Sequence, residues 1–220
     1  MDNRVRLKLS DFDAAIFDMD GTMINNMDYH KKAWKEFAKR HGFEFTDEEF
    51  KEKFSGKKND QIFTGIFGSS LTHNQINDYT EEKESIYREL YAPEIKAVVG
   101  LTDAISSLEK NGKKLAVATT APKGNRDFGF KALDLENTFD IILGDEHVVN
   151  GKPNPEIYLE TAKKLNIDPS RCIVFEDSPP GVEAGKRAGM TVIGILTTHS
   201  EEDLKNADYL VNDFTQIDFI

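Results

Sequence analysis

Cysteine is almost absent from the 220-residue sequence, and long apolar runs are missing. The one cysteine, Cys172, lies inside a short apolar run, so a disulfide framework within a monomer is excluded and a buried, unreactive thiol is expected. No segment approaches the roughly 20 apolar residues of a membrane span. No long apolar stretch follows the basic residues Arg4, Arg6 and Lys8. We therefore expect no signal peptide, no membrane partner and a cytoplasmic location.

Positive charge is scarce relative to negative charge. The sequence has 28 lysine and arginine residues against 39 aspartate and glutamate residues, which gives a net charge of −11. Because a nucleic-acid backbone is bound by clustered lysine and arginine, nucleic acid is excluded as the main partner. A small phosphorylated metabolite needs only a local positive site. We expect such a metabolite as the partner of a monomeric protein.

Short apolar runs alternate with helix-like stretches along most of the chain. The apolar runs predict strands over 14–17, 114–118, 139–143, 172–175, 191–196 and 209–211. Helical spacing is found over 102–111, 154–165 and 181–188. Since strands that alternate with helices pair in parallel, we predict an α/β fold with a doubly wound, Rossmann-like parallel sheet.

The interval 28–93 has a different pattern, without a convincing strand. Its first helix-like stretch places apolar residues at helical spacing. Thr46 and Thr72 are each followed three residues later by a glutamate or a glutamine, which is the signature of a capping box at a helix start. We predict an all-helical domain over 28–93, inserted into an α/β core that is formed by 1–27 and 94–220.

Chemically active side chains follow four of the predicted strands. Asp18 and Asp20 follow the first strand, Thr119 and Thr120 the second and Glu176 with Asp177 the fourth, while a loop after the third strand leads to Lys152. In open α/β sheets, ligands bind in the crevice at the carboxyl ends of the strands. We therefore expect these side chains to face one crevice. Two acids as close as Asp18 and Asp20 repel each other unless a cation or a phosphate-handling task holds them there.

These residue types together describe phosphoryl transfer. Clustered carboxylate oxygens suit Mg²⁺, which binds through one or two carboxylates and the phosphate of a substrate. A carboxylate can also attack phosphorus and form an aspartyl-phosphate. A hydroxyl and a lysine can bind the transferring phosphoryl oxygens and offset their charge. The sequence thus predicts Mg²⁺ as the cofactor.

Four ordered segments resemble the motifs of the haloacid dehalogenase superfamily. They are Phe17-Asp18-Met19-Asp20-Gly21-Thr22, Ala118-Thr119-Thr120-Ala121-Pro122, Gly151-Lys152-Pro153-Asn154-Pro155 and Phe175-Glu176-Asp177-Ser178. The helical insert between the first and second motifs resembles the class 1 cap of that superfamily. The resemblance extends over essentially the whole chain, and it points to the branch of β-phosphoglucomutase-like phosphatases.

The resemblance implies a role for each core residue. Asp18 would be the nucleophile, and Asp20 would be the general acid and base. Thr119 would bind phosphoryl oxygens, and Lys152 would neutralise charge and steady Asp18. From the segment after the second strand, two residues would contact the substrate: Thr120 and, in the following loop, Asn125. True dehalogenases lack the second aspartate, so dehalogenation is not expected here.

The same resemblance implies a set of metal ligands. Mg²⁺ would be held by the side chain of Asp18, the backbone carbonyl of Asp20 and the side chain of Asp177. Glu176 would lie in either the inner or the outer coordination shell, and the sequence leaves these alternatives open.

Four residues of the insert match substrate-binding positions of the branch: His30, Lys58, Asn59 and Lys83. Lys58 or Asn59 falls where the branch has an arginine that grips a second phosphate, and a lysine is not an equivalent bidentate clamp. For His30 and Lys83, the alternative is an ordinary solvated helix residue. His199 is expected to be a surface-loop residue.

We predict a Mg²⁺-dependent phosphatase of small phosphorylated metabolites, sugar phosphates above all, that works through an aspartyl-phosphate. One alternative is a β-phosphoglucomutase that interconverts β-glucose 1-phosphate and glucose 6-phosphate, since it shares all the core chemistry. An alternative of another class is a phospho-accepting signalling module. Such modules also gather acids and a lysine at the ends of parallel strands, but they lack a helical insert of this size.

Overall fold

The strands that the apolar runs predict form one parallel sheet in the computed structural model, which describes residues 4–54 and 59–220. Contacts within the chain define two units, one formed by Met1–Asn25 with Ile95–Ile220 and the other by Asn26–Glu94. The first unit has an α/β fold, and the secondary-structure elements described in the second unit are all α-helices. The prediction of an α/β fold with a doubly wound parallel sheet is confirmed.

The strands of the α/β unit form two sheets within the described residues. They are β1 (Val5–Leu7), β2 (Ala14–Phe17), β3 (Lys114–Ala118), β4 (Ile141–Leu143), β5 (Cys172–Glu176), β6 (Thr191–Ile195), β7 (Tyr209–Val211) and β8 (Ile217–Phe219). The six-stranded sheet has the order β4-β3-β2-β5-β6-β7, and every neighbouring pair is parallel. The strand order thus reverses direction at β2. In the second sheet, β1 pairs in parallel with β8.

The central strand β2 is buried on both faces. Ala14 and Ile16 lie in an apolar cluster with side chains from two helices of the unit. Phe17 faces the other side, where its ring stacks on Phe175 at 4.8 Å and lies 6.1 Å from Phe214. A strand that is buried on both faces is a continuous apolar run rather than an alternating one, which is why the sequence signal for β2 was clear.

Four helices connect the strands of the α/β unit: α5 (Leu101–Lys110), α6 (Lys123–Leu133), α7 (Glu156–Leu165) and α8 (Pro179–Arg187). The start of α7 lies two residues later than predicted because the Asn154 side chain accepts a hydrogen bond from the Glu156 amide at 3.0 Å. Ser178 caps α8, whose first residue is a proline, in keeping with the preference of proline for the first helical turn.

The helical unit contains α1 (Met27–Arg40), α2 (Asp47–Lys53), α3 (Asn59–Phe67) and α4 (His73–Tyr91). Both predicted capping boxes are present, at Thr46 before α2 and at Thr72 before α4. The interior of this unit is aromatic. The ring centroid of Phe63 lies 5.3 Å from that of Trp34 and 5.5 Å from that of Phe37. Trp34 and Phe37 therefore belong to the packing of this unit.

Two features of the α/β unit differ from the sequence-based expectations. Strands β1 and β8 were not predicted, because each has three residues and includes a charged one, Arg6 or Asp218. Asn125 was expected in a loop, but it lies in the first turn of α6. Pro122 immediately precedes this helix and fixes where it starts.

Candidate active site

The first two acids lie where β2 ends, at the point where the strand order reverses. Asp18 is buried, with 7 % of its surface exposed, and its amide donates to the Phe175 carbonyl at 3.0 Å. Asp20 is half-buried, and its backbone forms a β-bridge with Ile24. Gly21 then turns the chain with a φ of 84°, a left-handed conformation that favours glycine. The carboxylates are thus set at the crevice where open α/β sheets bind ligands.

Lys152 connects this turn to the acids after β5. Its Nζ lies 2.6 Å from Asp18 Oδ1 and 2.6 Å from Glu176 Oε1. It also donates to the Ala118 carbonyl, the last one of β3, at 3.3 Å. The Lys152 side chain is 8 % exposed. One ammonium therefore holds together the carboxyl ends of β2, β3 and β5.

Glu176 is fully buried, with 0 % of its surface exposed. Its two carboxylate oxygens accept hydrogen bonds from five protein donors. Lys152 and the Tyr158 hydroxyl donate to Oε1 at 2.6 and 3.0 Å. The Asp177 amide and both the amide and hydroxyl of Ser178 donate to Oε2 at 2.9–3.0 Å. Burial alone would raise the pKa of Glu176, but Lys152 and the Ser178 donors outweigh it and lower that pKa. Glu176 is therefore a fixed anion whose oxygens already have partners.

Asp177 lies beside Glu176 in a less compensated environment. It is 4 % exposed. The Thr22 hydroxyl donates to Oδ1 at 3.3 Å, and the Thr198 hydroxyl is bonded to Oδ2. Burial, followed by repulsion from Glu176, raises the pKa of Asp177 to about 7. A Cβ on Gly21 would come within 2.1 Å of Asp177 Oδ2, so a residue larger than glycine would displace this carboxylate.

Asp18, Glu176 and Asp177 could hold a metal ion together. Each offers an oxygen, and these atoms all lie within 4.8 Å of one another. Burial raises the pKa of Asp18 well above its usual range, against the opposing effect of Lys152. The pKa of Lys152 is also raised, because its attraction to Asp18 and Glu176 exceeds the effect of burial. Three carboxylates against one ammonium leave an excess of negative charge that a divalent cation would neutralise.

The second predicted segment lies at the end of β3. Thr119 is buried, its amide donates to the Leu143 carbonyl at 3.0 Å, and its Oγ1 accepts from the Ala121 amide at 3.0 Å. Thr120 is exposed, whereas Asn125 is buried at the start of α6. The Thr119 hydroxyl is therefore fixed at the carboxyl end of β3, the strand that pairs with β2, which is the position that the sequence predicted.

Three of the predicted substrate-binding residues form a polar cluster inside the helical unit. Lys83 is 3 % exposed, and its Nζ lies 3.0 Å from Glu84 Oε1 and 2.9 Å from His30 Nδ1. The His30 ring stacks on Tyr87 at 3.9 Å. Asn59 donates to the same Glu84 oxygen at 3.4 Å. The alternative of solvated helix residues is therefore wrong for Lys83 and His30. Lys58 lies outside the described residues.

Within the described residues, five further residues form hydrogen bonds with Glu176 or Asp177 and were not predicted as site residues: Thr22, Tyr158, Ser178, Thr198 and His199. Thr198 and His199 lie after β6, and His199 Nδ1 is 2.9 Å from the Asp177 carbonyl. His199 lies in a loop, as expected, but it is half-buried and also contacts the backbone of Asp177. The carboxyl end of β6 obeys the same crevice rule as the other strands, and that rule was the available signal.

The chain is similar to proteins of known family. A family model described as haloacid dehalogenase-like hydrolase matches residues 15–195. The sequence is 31% identical to validoxylamine A 7'-phosphate phosphatase of Streptomyces hygroscopicus subsp. limoneus, over 94% of this chain and 96% of that protein. It is 32% identical to a phosphorylated carbohydrates phosphatase of Thermotoga maritima, over 88% of each chain.

A solved structure extends this similarity to the fold. The crystal structure of β-phosphoglucomutase from Clostridium difficile superposes with a TM-score of 0.81 at 29% sequence identity, over 94% of both chains. Within the described residues of the present chain, no helix is both long and apolar enough to cross a membrane.

Proposed function

The chain belongs to the haloacid dehalogenase-like hydrolase family, and on that basis we propose that it is a Mg²⁺-dependent phosphatase of small phosphorylated metabolites. Sugar phosphates are the favoured substrate class, since the named activities of two relatives concern a phosphorylated carbohydrate derivative and phosphorylated carbohydrates. Asp18 would carry the phosphoryl group as an aspartyl-phosphate.

The observation that carries this proposal is the position of Lys152 between Asp18 and Glu176. The ammonium touches Asp18 Oδ1 at 2.6 Å and is anchored from behind by Glu176 at the same distance. A lysine fixed in this way orients the attacking carboxylate and remains charged beside it. It also supplies positive charge next to the phosphorus that Asp18 would attack, where charge develops in the transition state.

The first half of the proposed reaction transfers the phosphoryl group to the protein. A carboxylate oxygen of Asp18 attacks phosphorus, and the bond from phosphorus to the ester oxygen breaks. Asp20 gives its proton to the departing alkoxide, so that the sugar leaves as an alcohol. Thr119 would bind a phosphoryl oxygen, and Lys152 would offset the charge on the equatorial oxygens.

The second half returns the protein to its starting state. Asp20, now a carboxylate, takes a proton from a water molecule, and the water oxygen attacks phosphorus. The bond between phosphorus and Asp18 breaks, inorganic phosphate leaves, and Asp20 is again protonated. One water is consumed and one phosphate is released for each ester that is hydrolysed.

Mg²⁺ would be held by the side chains of Asp18 and Asp177 and by the Asp20 carbonyl. When bound, it neutralises phosphate charge and orients the phosphoryl group. Glu176 favours an outer position, because its two oxygens accept five hydrogen bonds from protein donors, whereas one side-chain hydroxyl is described at each oxygen of Asp177. Its role here is to anchor Lys152 and to fix the turn that carries Asp177.

The helical unit would act as a cap that supplies specificity. We propose that His30, Asn59 and Lys83 contribute to substrate binding from this unit, together with Lys58, and that Thr120 and Asn125 do so from the α/β unit. Closure of a cap excludes water and completes the site. Hinges are expected near 25–28 and 94–101.

A mutase is the second candidate, because the chain resembles the β-phosphoglucomutase of Clostridium difficile over 94% of its length. In that reaction the bond between phosphorus and Asp18 breaks and the phosphoryl group passes to a sugar hydroxyl instead of to water, while Asp20 takes the hydroxyl proton. Incubation with β-glucose 1-phosphate separates the two activities. Glucose 6-phosphate accumulates with a mutase, and free phosphate accumulates with a phosphatase.

The test of the proposal is phosphate release from a panel of phosphorylated sugars, nucleotides and short acids, with and without Mg²⁺. Asp18→Asn should reduce turnover by a factor on the order of 10⁴ or more, because it removes the nucleophile. Asp127→Asn, at an exposed position on α6, is the matched control and should leave turnover intact. Substantial turnover by Asp18→Asn would rule out Asp18 as the nucleophile. A stable phosphoprotein without turnover would instead favour the signalling alternative.

A further inference from the structure

The loop that follows β6 contacts both acid-bearing turns of the α/β unit. Thr197 Oγ1 donates to the Gly21 carbonyl, in the turn after β2. Thr198 Oγ1 is bonded to Asp177 Oδ2 and lies 3.2 Å from the Asp177 carbonyl, in the turn after β5. His199 Nδ1 lies 2.9 Å from that same carbonyl. Three consecutive side chains of this loop thus fasten two separate turns.

Thr198 is one of two hydroxyl residues that are bonded to the Asp177 carboxylate within the described contacts. Asp177 is buried, and its two carboxylate oxygens have different partners, with Thr22 at Oδ1 and Thr198 at Oδ2. The Thr22 contact is long for a hydroxyl donor, at 3.3 Å, so it constrains the carboxylate only weakly. Loss of the Thr198 hydroxyl would leave the carboxylate free to rotate toward or away from a bound cation.

We propose that Thr198 is a positioning residue for the metal site, which acts by holding the Asp177 carboxylate in the orientation that a divalent cation requires. Thr197 binds the Asp18–Gly21 turn to the same loop. The loop after β6 thus holds the turn that carries Asp18 at a fixed distance from the turn that carries Asp177. The inference rests on the proposed metal dependence of the enzyme. It adds a residue that the sequence motifs do not include.

Packing alone would not require a hydroxyl group at position 198. Valine would occupy nearly the same volume as threonine at position 198, but it offers no hydrogen bond to Asp177. Hydrogen bonds to metal ligands orient those ligands, and their loss typically weakens metal binding by about 10–100-fold. The expected effect therefore includes a loss of metal affinity, which is measured separately from any loss of stability in the metal-free chain.

The test measures Mg²⁺ binding by titration calorimetry and Mn²⁺ binding by electron paramagnetic resonance, with thermal unfolding in chelator as a parallel readout. Thr198→Val should weaken the affinity for both ions by about 10–100-fold. Thr198→Ser keeps the hydroxyl and should restore most of the affinity. Ser200→Ala is the matched control, because Ser200 bonds to Asp203 in the same loop and does not touch Asp177 within the described contacts.

Unchanged metal affinity in folded Thr198→Val would overturn the inference, and so would an equal loss of affinity in Ser200→Ala. If Thr198→Val does not fold, Thr198→Ala is measured in the same way, and failure of both to fold would show a structural role instead. At saturating Mg²⁺, phosphate release by Thr198→Val should recover. Absence of metal binding in the unmodified protein would count against the proposed function itself, separately from the role of Thr198.

Discussion

Both units bury a lysine, but the two lysines are partnered in different ways. Lys152 in the α/β unit contacts two carboxylates, and a third one, Asp177, lies beside them. Lys83 in the helical unit contacts one carboxylate, Glu84, and one imidazole, and it lies 5.4 Å from the ring of Trp34. One carboxylate is described beside Lys83, whereas three lie around Lys152, so full ionisation of that cluster would leave an excess of negative charge.

This difference indicates that a buried ion pair can serve either ligand binding or the orientation of side chains. Burial of charge is weak evidence for stability, because desolvation offsets most of the attraction between the partners. A cluster with more carboxylates than ammonium groups, such as that around Lys152, would be completed by a ligand, which under the proposed function is a divalent cation together with a phosphoryl group. The cluster around Lys83, with one described carboxylate, can orient polar side chains without a further charge. The following predictions test whether this contrast is correct.

The largest contrast is expected between Lys152→Met and Lys83→Met. Lys152→Met should reduce kcat by about 10²–10³-fold on every substrate, because it removes a charge that stabilises the transition state. Lys83→Met leaves Glu84 buried without its ammonium and should lower the free energy of unfolding by about 3–5 kcal/mol. Its effect on turnover should appear mainly in KM. Phosphate release and urea unfolding measure the two effects, and equal losses of kcat would break the comparison.

The free energy of unfolding should depend on pH through Asp177, the third carboxylate of the cluster in the α/β unit. The pKa of Asp177 is raised to about 7 in the folded chain, so between about pH 4 and pH 7 the folded state keeps a proton that the unfolded state has released. Stability from this group is therefore greatest at low pH and is lost as the pH rises to about 7, by about 1.4 kcal/mol for each unit of pKa difference.

Asp177→Asn is neutral at every pH and should lack this dependence. In chelator, the stability of the unmodified chain relative to Asp177→Asn should therefore fall as the pH increases from 4 to 7 and stay level above 7. Chemical denaturation across that range measures the difference. A flat profile over this range would show that Asp177 is already ionised in the metal-free fold.

Metal addition should stabilise the chain through the α/β unit alone. At a Mg²⁺ concentration 100 times the dissociation constant, the free energy of unfolding should rise by about 2.7 kcal/mol. Asp177→Asn should lose this gain, and Lys83→Met should keep it. Thermal melting with and without chelator provides the measurement, and chelator should also stop phosphate release. A gain that depends on Lys83 would place a cation in the helical unit instead.

The smallest effects concern two glutamates of the same helix, α4. Glu84→Gln removes the charge that faces Lys83 and should destabilise the fold by about 1–3 kcal/mol. Glu81 is 72% exposed and pairs with Arg88, so Glu81→Gln should change stability by about 0–1 kcal/mol. Urea unfolding of both variants gives the comparison. Similar values would mean that the Lys83 cluster is not energetically distinct from a surface pair.

Much of the α/β unit could be predicted from the sequence, because its central strands are buried on both faces. The apolar runs of β2, β3 and β5 have no other simple explanation. The rule that parallel strands present ligands at their carboxyl ends then brought Asp18 and Asp177 together. The catalytic roles of these residues stay predictions. Strands β1 and β8 were missed because each has only three residues and one of them is charged, Arg6 or Asp218, so neither forms an apolar run.

The partners of individual side chains were harder to predict. Lys83 lies within the charged run Glu81-Glu82-Lys83-Glu84, which is typical of a solvated helix face, yet it is buried. Helical periodicity gives the direction of a side chain but not what packs against it. The bond from Thr198 to Asp177 likewise depends on the path of a loop after β6, and no local pattern specifies that path.

The pairing of β1 with β8 affects how the protein is made. This small sheet joins residues near 5 to residues near 217, so the α/β unit needs segments from both sides of the helical unit before it can close. At the usual rate of synthesis, the stretch between the helical unit and β8 takes roughly 6–25 seconds to emerge. The helical unit is a continuous segment and can fold during that time. In a nascent chain the helical unit could therefore be folded before β5 has been synthesised and can pair with β2.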